Sequence, residues 1–152
     1  MINSALVSPM NRKRLYWTNF EVTQPKDKGI LLKDILQSGK VDRDKALTIT
    51  SSYAGFMGTQ SYLCRRYFGK HFGQAVFEGD IEEIKEKWKK DPYFSSDEIN
   101  IRPLTVLECE RCMTLPMNYT QGISTNARYT VIGNAWNAET ITHIFKCLKQ
   151  HL

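Results

Sequence analysis

Arg102-Pro103-Leu104-Thr105-Val106-Leu107-Glu108 is the stretch on which the fold of this chain turns. Thr105 occupies a helix N-cap position and Glu108 follows three residues later, a capping box that satisfies amides left open at a helix start. Val106, Cys109 and Met113 then share one face, with Cys112 beside it, which is the spacing of a buried helix. Cys109 and Cys112 form a Cys-x-x-Cys pair, but no second pair stands at zinc-ligand spacing and the three histidines are scattered. The four cysteines are therefore expected to be reduced and structural.

Working outward, residues 1–20 read as a strand, a basic turn and a second strand carrying Leu15, Tyr16 and Trp17, with Pro9 and Asn11 punctuating the entry. Thr23 to Asp27 is a polar connector. Ile30 to Gln37 predicts a short helix that buries Ile30, Leu31, Ile35 and Leu36 and stops at Gly39. Leu47 to Thr50 predicts a short strand. Ser51 to Gly79 has no clean period: glycines at 55, 58, 69, 73 and 79 interrupt it, and Tyr53, Phe56, Tyr62, Tyr67, Phe68, Phe72 and Phe77 stud it. Linkers lack aromatics, so this stretch reads as irregular functional surface. Asp80 caps a helix to about Lys90 with Ile81, Ile84 and Trp88 as its stripe, ended by Asp91-Pro92. Near the end Asn137 is an N-cap, Ile141, Ile144, Phe145 and Leu148 recur at helical spacing, and Lys146, Lys149 and His151 suit a helix carboxyl end.

At 152 residues the chain fits one domain able to bury roughly two-thirds of its unfolded surface. No apolar run approaches the roughly 20 residues that span a bilayer, and Met1 to Val7 lack the pattern of a signal peptide. A cytoplasmic protein is expected, nucleoid-associated in a prokaryote or phage and nuclear in a eukaryote. The net charge of +5 is concentrated in Arg12-Lys13-Arg14 and in Arg65, Arg66, Lys70 and His71. Such clusters suit a polyanion through counterion release, and equally serve solubility.

Three segments in fixed order carry a resemblance. Val7 to Asn19, containing Asn11-Arg12-Lys13-Arg14-Leu15-Tyr16-Trp17, looks like motif VIII of the DNA (cytosine-5) methyltransferases, closest to the de novo-like branch. Arg102 to Pro116 looks like motif IX, and Arg128 to Trp136, with Ile132-Gly133-Asn134-Ala135-Trp136, looks like motif X. The chain departs from the family pattern at Pro9 and at Met10, where a polar residue is usual. The resemblance implies an α/β chain: the carboxyl-terminal portion of a Rossmann-like S-adenosylmethionine-dependent methyltransferase fold plus a small irregular α+β recognition lobe. Residues 1–23 would supply the final strands of the catalytic sheet, 24–100 the target-recognition region, and 101–152 motifs IX and X with the closing helix.

The same resemblance assigns roles. Arg14 would contact the flipped target cytosine, and Arg12 would lie near the phosphate backbone or hold the loop; a guanidinium fork suits either. Asn134, Ala135 and Trp136 would line the S-adenosylmethionine pocket, unless Gly133-Asn134 is a plain turn and Trp136 a core residue. Arg65, Arg66 and Lys70, in a stretch mixing cations with aromatics, would touch double-stranded DNA, unless they form a solvated turn. The family's nucleophile is the cysteine of a Pro-Cys pair, assisted by a Glu-Asn-Val segment, with a Phe-x-Gly-x-Gly loop for the cofactor. None of these occurs in the 152 residues. The expectation is a recognition part, inactive alone, that works with a catalytic subunit or N-terminal part carrying motifs I to VI in a split or truncated enzyme, in a setting such as restriction-modification. The alternative is a catalytically inactive remnant or a regulatory methyltransferase-like protein. An unrelated basic DNA-binding module is a third reading.

Overall fold

Val76 and Phe77 form β3, and because successive strand residues face opposite sides, they enter two different cores. Val76 packs with Met10, Leu32, Ile49, Leu104, Cys109 and Ile132, and Phe77 packs with Leu63, Tyr67, Ile84 and Ile101. β4 (Ile101–Arg102) pairs antiparallel with β3, setting Val76 against Arg102 and Phe77 against Ile101. The computed structural model describes residues 1–53, 59–70, 73–93 and 99–150. Gly55, Phe56, Gly58, His71, Phe72 and His151 lie outside the described residues. No helix among the described residues is long and apolar enough to cross a membrane.

The amino-terminal hairpin joins β1 (Ile2–Asn3) to β2 (Lys13–Arg14), with Ile2 opposite Arg14. The Asn3 side chain accepts from the amides of Ala5 (3.1 Å) and Arg12 (3.0 Å), which closes the loop between the strands. The expected strand through Leu15, Tyr16 and Trp17 does not form. Pairing ends at Arg14, the carbonyl of Met1 accepts from Gln24 Nε2 instead, and Trp17 is left 86% exposed.

The expected helix over 30–37 contracts to a 3-10 turn, Leu32–Ile35, and its buried residue is Leu32, which the helical pattern did not single out. Ile30, Leu31, Ile35 and Leu36 are half-buried. The Asp34 carboxylate accepts from the Leu31 amide (2.7 Å), tightening the turn. Gly39 then takes φ +81° as the chain crosses β3, where an added Cβ would meet Val76 Cγ1 at 2.6 Å and the Phe77 carbonyl at 2.8 Å. The strand expected at Leu47 to Thr50 is also absent. Its amides turn to side chains, Leu47 N–H to Gln74 Oε1 (2.7 Å) and Ile49 N–H to Met10 Sδ (3.4 Å), so no ladder can propagate.

Within the stretch expected to be irregular lies α1 (Gln60–Cys64), capped by Thr59 and continued by a π turn over Arg65–Gly69, where the Lys70 amide bonds to the Arg65 carbonyl (3.2 Å). A π turn breaks the 3.6-residue period, which explains why pattern reading missed it. α2 (Ile81–Lys90) follows the expectation, with the Asp80 carboxylate accepting from Glu82 and Glu83 N–H at 3.0 Å each, Ile84 buried, and Ile81 and Trp88 packed against the second core.

The Thr105–Glu108 capping box opens α3 (Val106–Cys112) as read. α4 (Thr125–Asn134) and α5 (Ala138–Lys149) follow, α5 capped by Asn137. The buried side of α5 is Thr140, Ile144 and Cys147, whereas Phe145, expected in the stripe, is 59% exposed. Rotation of α5 is set at its start: Asn137 Nδ2 donates to the Cys112 carbonyl (3.2 Å), the Ala138 amide to Met113 (3.0 Å), and Thr140 Oγ1 to Ser4 Oγ (3.2 Å).

Candidate functional site

Arg12 is buried although it carries a charge, and no carboxylate among the described residues pairs with it. Three carbonyls compensate it instead: Nη1 donates to Ile49 (2.8 Å), and Nη2 donates to Gly133 (3.1 Å) and Ala135 (3.0 Å). The last two lie at the carboxyl end of α4, where helix carbonyls lack intrahelical partners and the helix dipole is negative. Burial, and then the neighbouring Arg14 charge, pull the Arg12 pKa down. Arg12 is thus buried and bonded to three backbone carbonyls of distant segments.

Gly133 completes the junction from the other side. It lies inside α4 rather than in a turn, and an added Cβ would sit 2.2 Å from the Thr50 carbonyl carbon and 2.4 Å from the Ser51 amide. Only glycine lets α4 rest directly on the backbone of 50–51. Asn134 closes α4, Ala135 is half-buried, and Trp136 is 68% exposed just ahead of the Asn137 cap of α5. The core-residue alternative for Trp136 therefore fails. Arg12 thus brings the Arg14 hairpin and the 134–136 connector together. Arg14 itself is exposed, and among the described residues its Nη1 reaches the neighbouring Lys13 carbonyl (2.8 Å).

Two fully buried carboxylates brace α3. Glu108 takes a two-pronged bond from Arg102 (Nη1 to Oε2 2.9 Å, Nη2 to Oε1 3.0 Å) and accepts from the amides of Thr105 (2.8 Å) and Gln37 (2.8 Å). Glu110 accepts from Asn118 N–H (2.8 Å), Thr120 N–H (2.9 Å), Thr120 Oγ1 (2.6 Å) and Arg128 Nη2 (3.1 Å). Burial alone pushes the Glu110 pKa up; the bonds from Thr120, Arg128 and Asn118 outweigh it and hold the carboxyl below its ordinary value. Glu110 thus fastens α4 to α3 through Arg128, and Glu108 ties α3 to β4 through Arg102 and to the chain at Gln37.

Arg65, Arg66 and Lys70 sit on the π turn over the second core. Arg65 lies over the ring of Tyr93 (4.9 Å to the centroid), while Arg66 lies over Tyr62 (5.6 Å) and donates to its hydroxyl (2.7 Å). Two of the three cations are therefore set against tyrosine rings, while Lys70 is exposed. Tyr62 stands among the aromatics expected in this stretch without being matched to Arg66, and Tyr93 was not singled out from the sequence. The i, i+4 spacing of Tyr62 and Arg66 would have exposed that pair had the helix been legible, and nothing in the local sequence links Arg65 to Tyr93.

Three of the four thiols are pushed away from the thiolate by burial. Burial pushes the Cys64 thiol up to about 12 and raises Cys109 and Cys112 as well, whereas a nucleophile needs the thiolate. Cys147 lies 3.7 Å from His143 Nε2, but that nitrogen is 2.8 Å from the Thr23 carbonyl, a contact only an N–H can make, so it is not a base for the thiol. A 460 Å³ cleft beside α5, lined by Lys26, Lys28, Glu139, His143 and Lys146, does not include the 134–136 connector.

Residues 8–150 match the family described as C-5 cytosine-specific DNA methylase. Among solved structures, the fold is similar to a mutant DNMT2 of Spodoptera frugiperda (16% identity, TM-score 0.61, 97% of this chain and 56% of that one). It is similar also to the Entamoeba histolytica methyltransferase EhMeth (16%, 0.59, 96% and 50%). A third likeness is to the S. pombe Dnmt2 methyltransferase (16%, 0.51, 93% and 40%). At that identity the likeness is one of fold, and this chain spans between 40% and 56% of the length of those three. No curated protein sequence matches. Since the match runs over residues 8–150 and so takes in the Arg12 junction with Ile49, Gly133 and Ala135, this chain belongs to the C-5 cytosine-specific DNA methylase family.

Proposed function

We propose that the chain is the carboxyl-terminal, target-recognition part of a cytosine-5 DNA methyltransferase of the de novo-like branch. It acts with a catalytic part that carries the Pro-Cys nucleophile and motifs I to VI, either a partner subunit or a further segment of the same protein. Residues 1–23 complete the catalytic sheet, 24–100 form the recognition region, and 101–152 supply motifs IX and X. The substrate is cytosine in double-stranded DNA, and S-adenosylmethionine is the methyl donor. The observation that carries this reading is the Arg12 junction: one buried guanidinium binds the carbonyls of Gly133 and Ala135 and so holds the hairpin of Arg14 beside Trp136.

Arg14 is exposed, and on releasing the Nη1 bond to the neighbouring Lys13 carbonyl it can direct its fork at an extruded base. The exposed Trp136 ring, on backbone fixed by Arg12, fits one wall of an adenosine pocket together with Asn134 and Ala135; the other walls belong to the catalytic part. The cofactor supplies the methyl group, and this chain's residues position and enclose it. The alternative of an inactive remnant draws on Met10. That side chain is fully buried, with its sulfur accepting from the Ile49 amide, so the departure has a packing reason.

The test is reconstitution. Mixed with a catalytic part carrying Pro-Cys and Glu-Asn-Val, the chain is expected to support transfer of labelled methyl to duplex DNA, and Arg14→Ala is expected to abolish it. Methyl transfer by this chain alone, or full activity with Arg14→Ala, would overturn the proposal.

A further inference from the structure

The arginines of this chain sort by what neutralises them. Arg102 meets Glu78 and Glu108, Arg128 meets Glu110, and Arg43 meets Asp42. Arg12 and Arg111 are spent on backbone carbonyls. Arg65 differs. Among the described residues no carboxylate pairs with it, its buried Nε has no hydrogen-bond partner, and its guanidinium lies 4.9 Å from the centroid of the Tyr93 ring. Tyr93 is 76% exposed, so the ring is not there to fill a core.

The backbone supports the same picture. The π turn lets Tyr67 and Phe68, consecutive residues, both join the aromatic cluster with Phe77 and Trp88. The preceding Arg65 is carried to the Tyr93 ring. With Nε buried, the donors left to Arg65 are those of its two Nη groups, and the ring beneath removes rotamer freedom before any ligand arrives. A planar donor fork of this kind matches paired acceptors: two phosphate oxygens, or O6 and N7 of guanine.

We infer that Tyr93 is a positioning residue for DNA, holding Arg65 as a pre-ordered planar fork that binds paired acceptor atoms of the duplex. The inference rests on the DNA-recognition reading above. It separates shape from charge: lysine at 65 keeps the charge and loses the fork, and phenylalanine at 93 keeps the ring and loses the hydroxyl.

The experiment measures binding of the full chain, with its catalytic part where the complex forms, to a mixed-sequence duplex and an all-A·T duplex over a salt series. Thermal melts of each variant control for folding. Tyr93→Phe is expected to bind like the wild type. Tyr93→Ala is expected to weaken binding roughly two- to fivefold with an unchanged melt, and Arg65→Lys to weaken it roughly tenfold. With Arg65→Ala, a salt slope smaller by about 0.9 assigns the fork to a phosphate. An unchanged slope, with the mixed-sequence preference lost, assigns it to guanine. Arg65→Lys binding at wild-type strength, or Tyr93→Ala without effect, overturns the inference while leaving the DNA reading intact. A wild-type chain that binds neither duplex overturns both.

Discussion

The guanidinium of Arg12 and the carbonyl of Ala135 are 123 residues apart in sequence and 3.0 Å apart in the fold. The same side chain reaches Ile49 and Gly133, so three chain segments close on one buried cation. Lysine in its place has no planar fork to span three carbonyls. Arg12→Lys is expected to cost about 2–4 kcal/mol of stability, read by urea denaturation. A loss below about 0.5 kcal/mol would show that the junction is dispensable.

Gly133→Ala reverses an ordinary rule. In a helix interior alanine is worth about 0.5–1 kcal/mol over glycine. Here the new methyl group would meet the Thr50 carbonyl carbon at 2.2 Å and backbone cannot swing aside, so the substitution is expected to destabilise by about 2 kcal/mol or more. The denaturation midpoint gives the sign directly.

Glu110 makes stability depend on pH with a definite sign. Its folded pKa is lowered, so its stabilisation is present above the unfolded carboxyl range and is lost as pH falls through the folded value. Glu110→Gln is expected to lower stability by about 2 kcal/mol at neutral pH. The gap to wild type should narrow as pH falls from the ordinary carboxyl range through the lowered folded value. Melting temperatures of both proteins across pH test this; a constant gap would exclude an ionised Glu110.

Arg14→Ala separates function from folding. Arg14 is exposed and bonds among the described residues only to the carbonyl beside it, so the substitution should change stability by no more than about 0.5 kcal/mol. Its effect is expected in methyl transfer by the reconstituted enzyme and not in the melt.

Three helix starts named from the sequence stand where they were expected, whereas Ser124, which caps α4, was not recognised as one. Thr105 with Glu108, Asp80, and Asn137 announce helix starts because a cap bonds to amides only two or three residues away. The order of the three segments likewise placed the chain in its family, since spacing along a chain survives without any knowledge of contacts. Leu32 and Phe145 show where that reading fails: periodicity says which residues share a face, but not how far the face is rotated toward the core. The π turn at Arg65–Gly69 fails for a related reason, because one extra residue per turn erases the period itself.

The sequence by itself determined the caps, the family and the basic clusters, all properties of neighbours along the chain. The tertiary structure alone decided which basic residue is buried and which is exposed. Arg12 and Arg14 are two residues apart and chemically identical, yet carbonyls 37, 121 and 123 positions away claim the first and none of them claims the second. A guanidinium's role is set by the acceptors that reach it, and only the closed fold brings those acceptors into range.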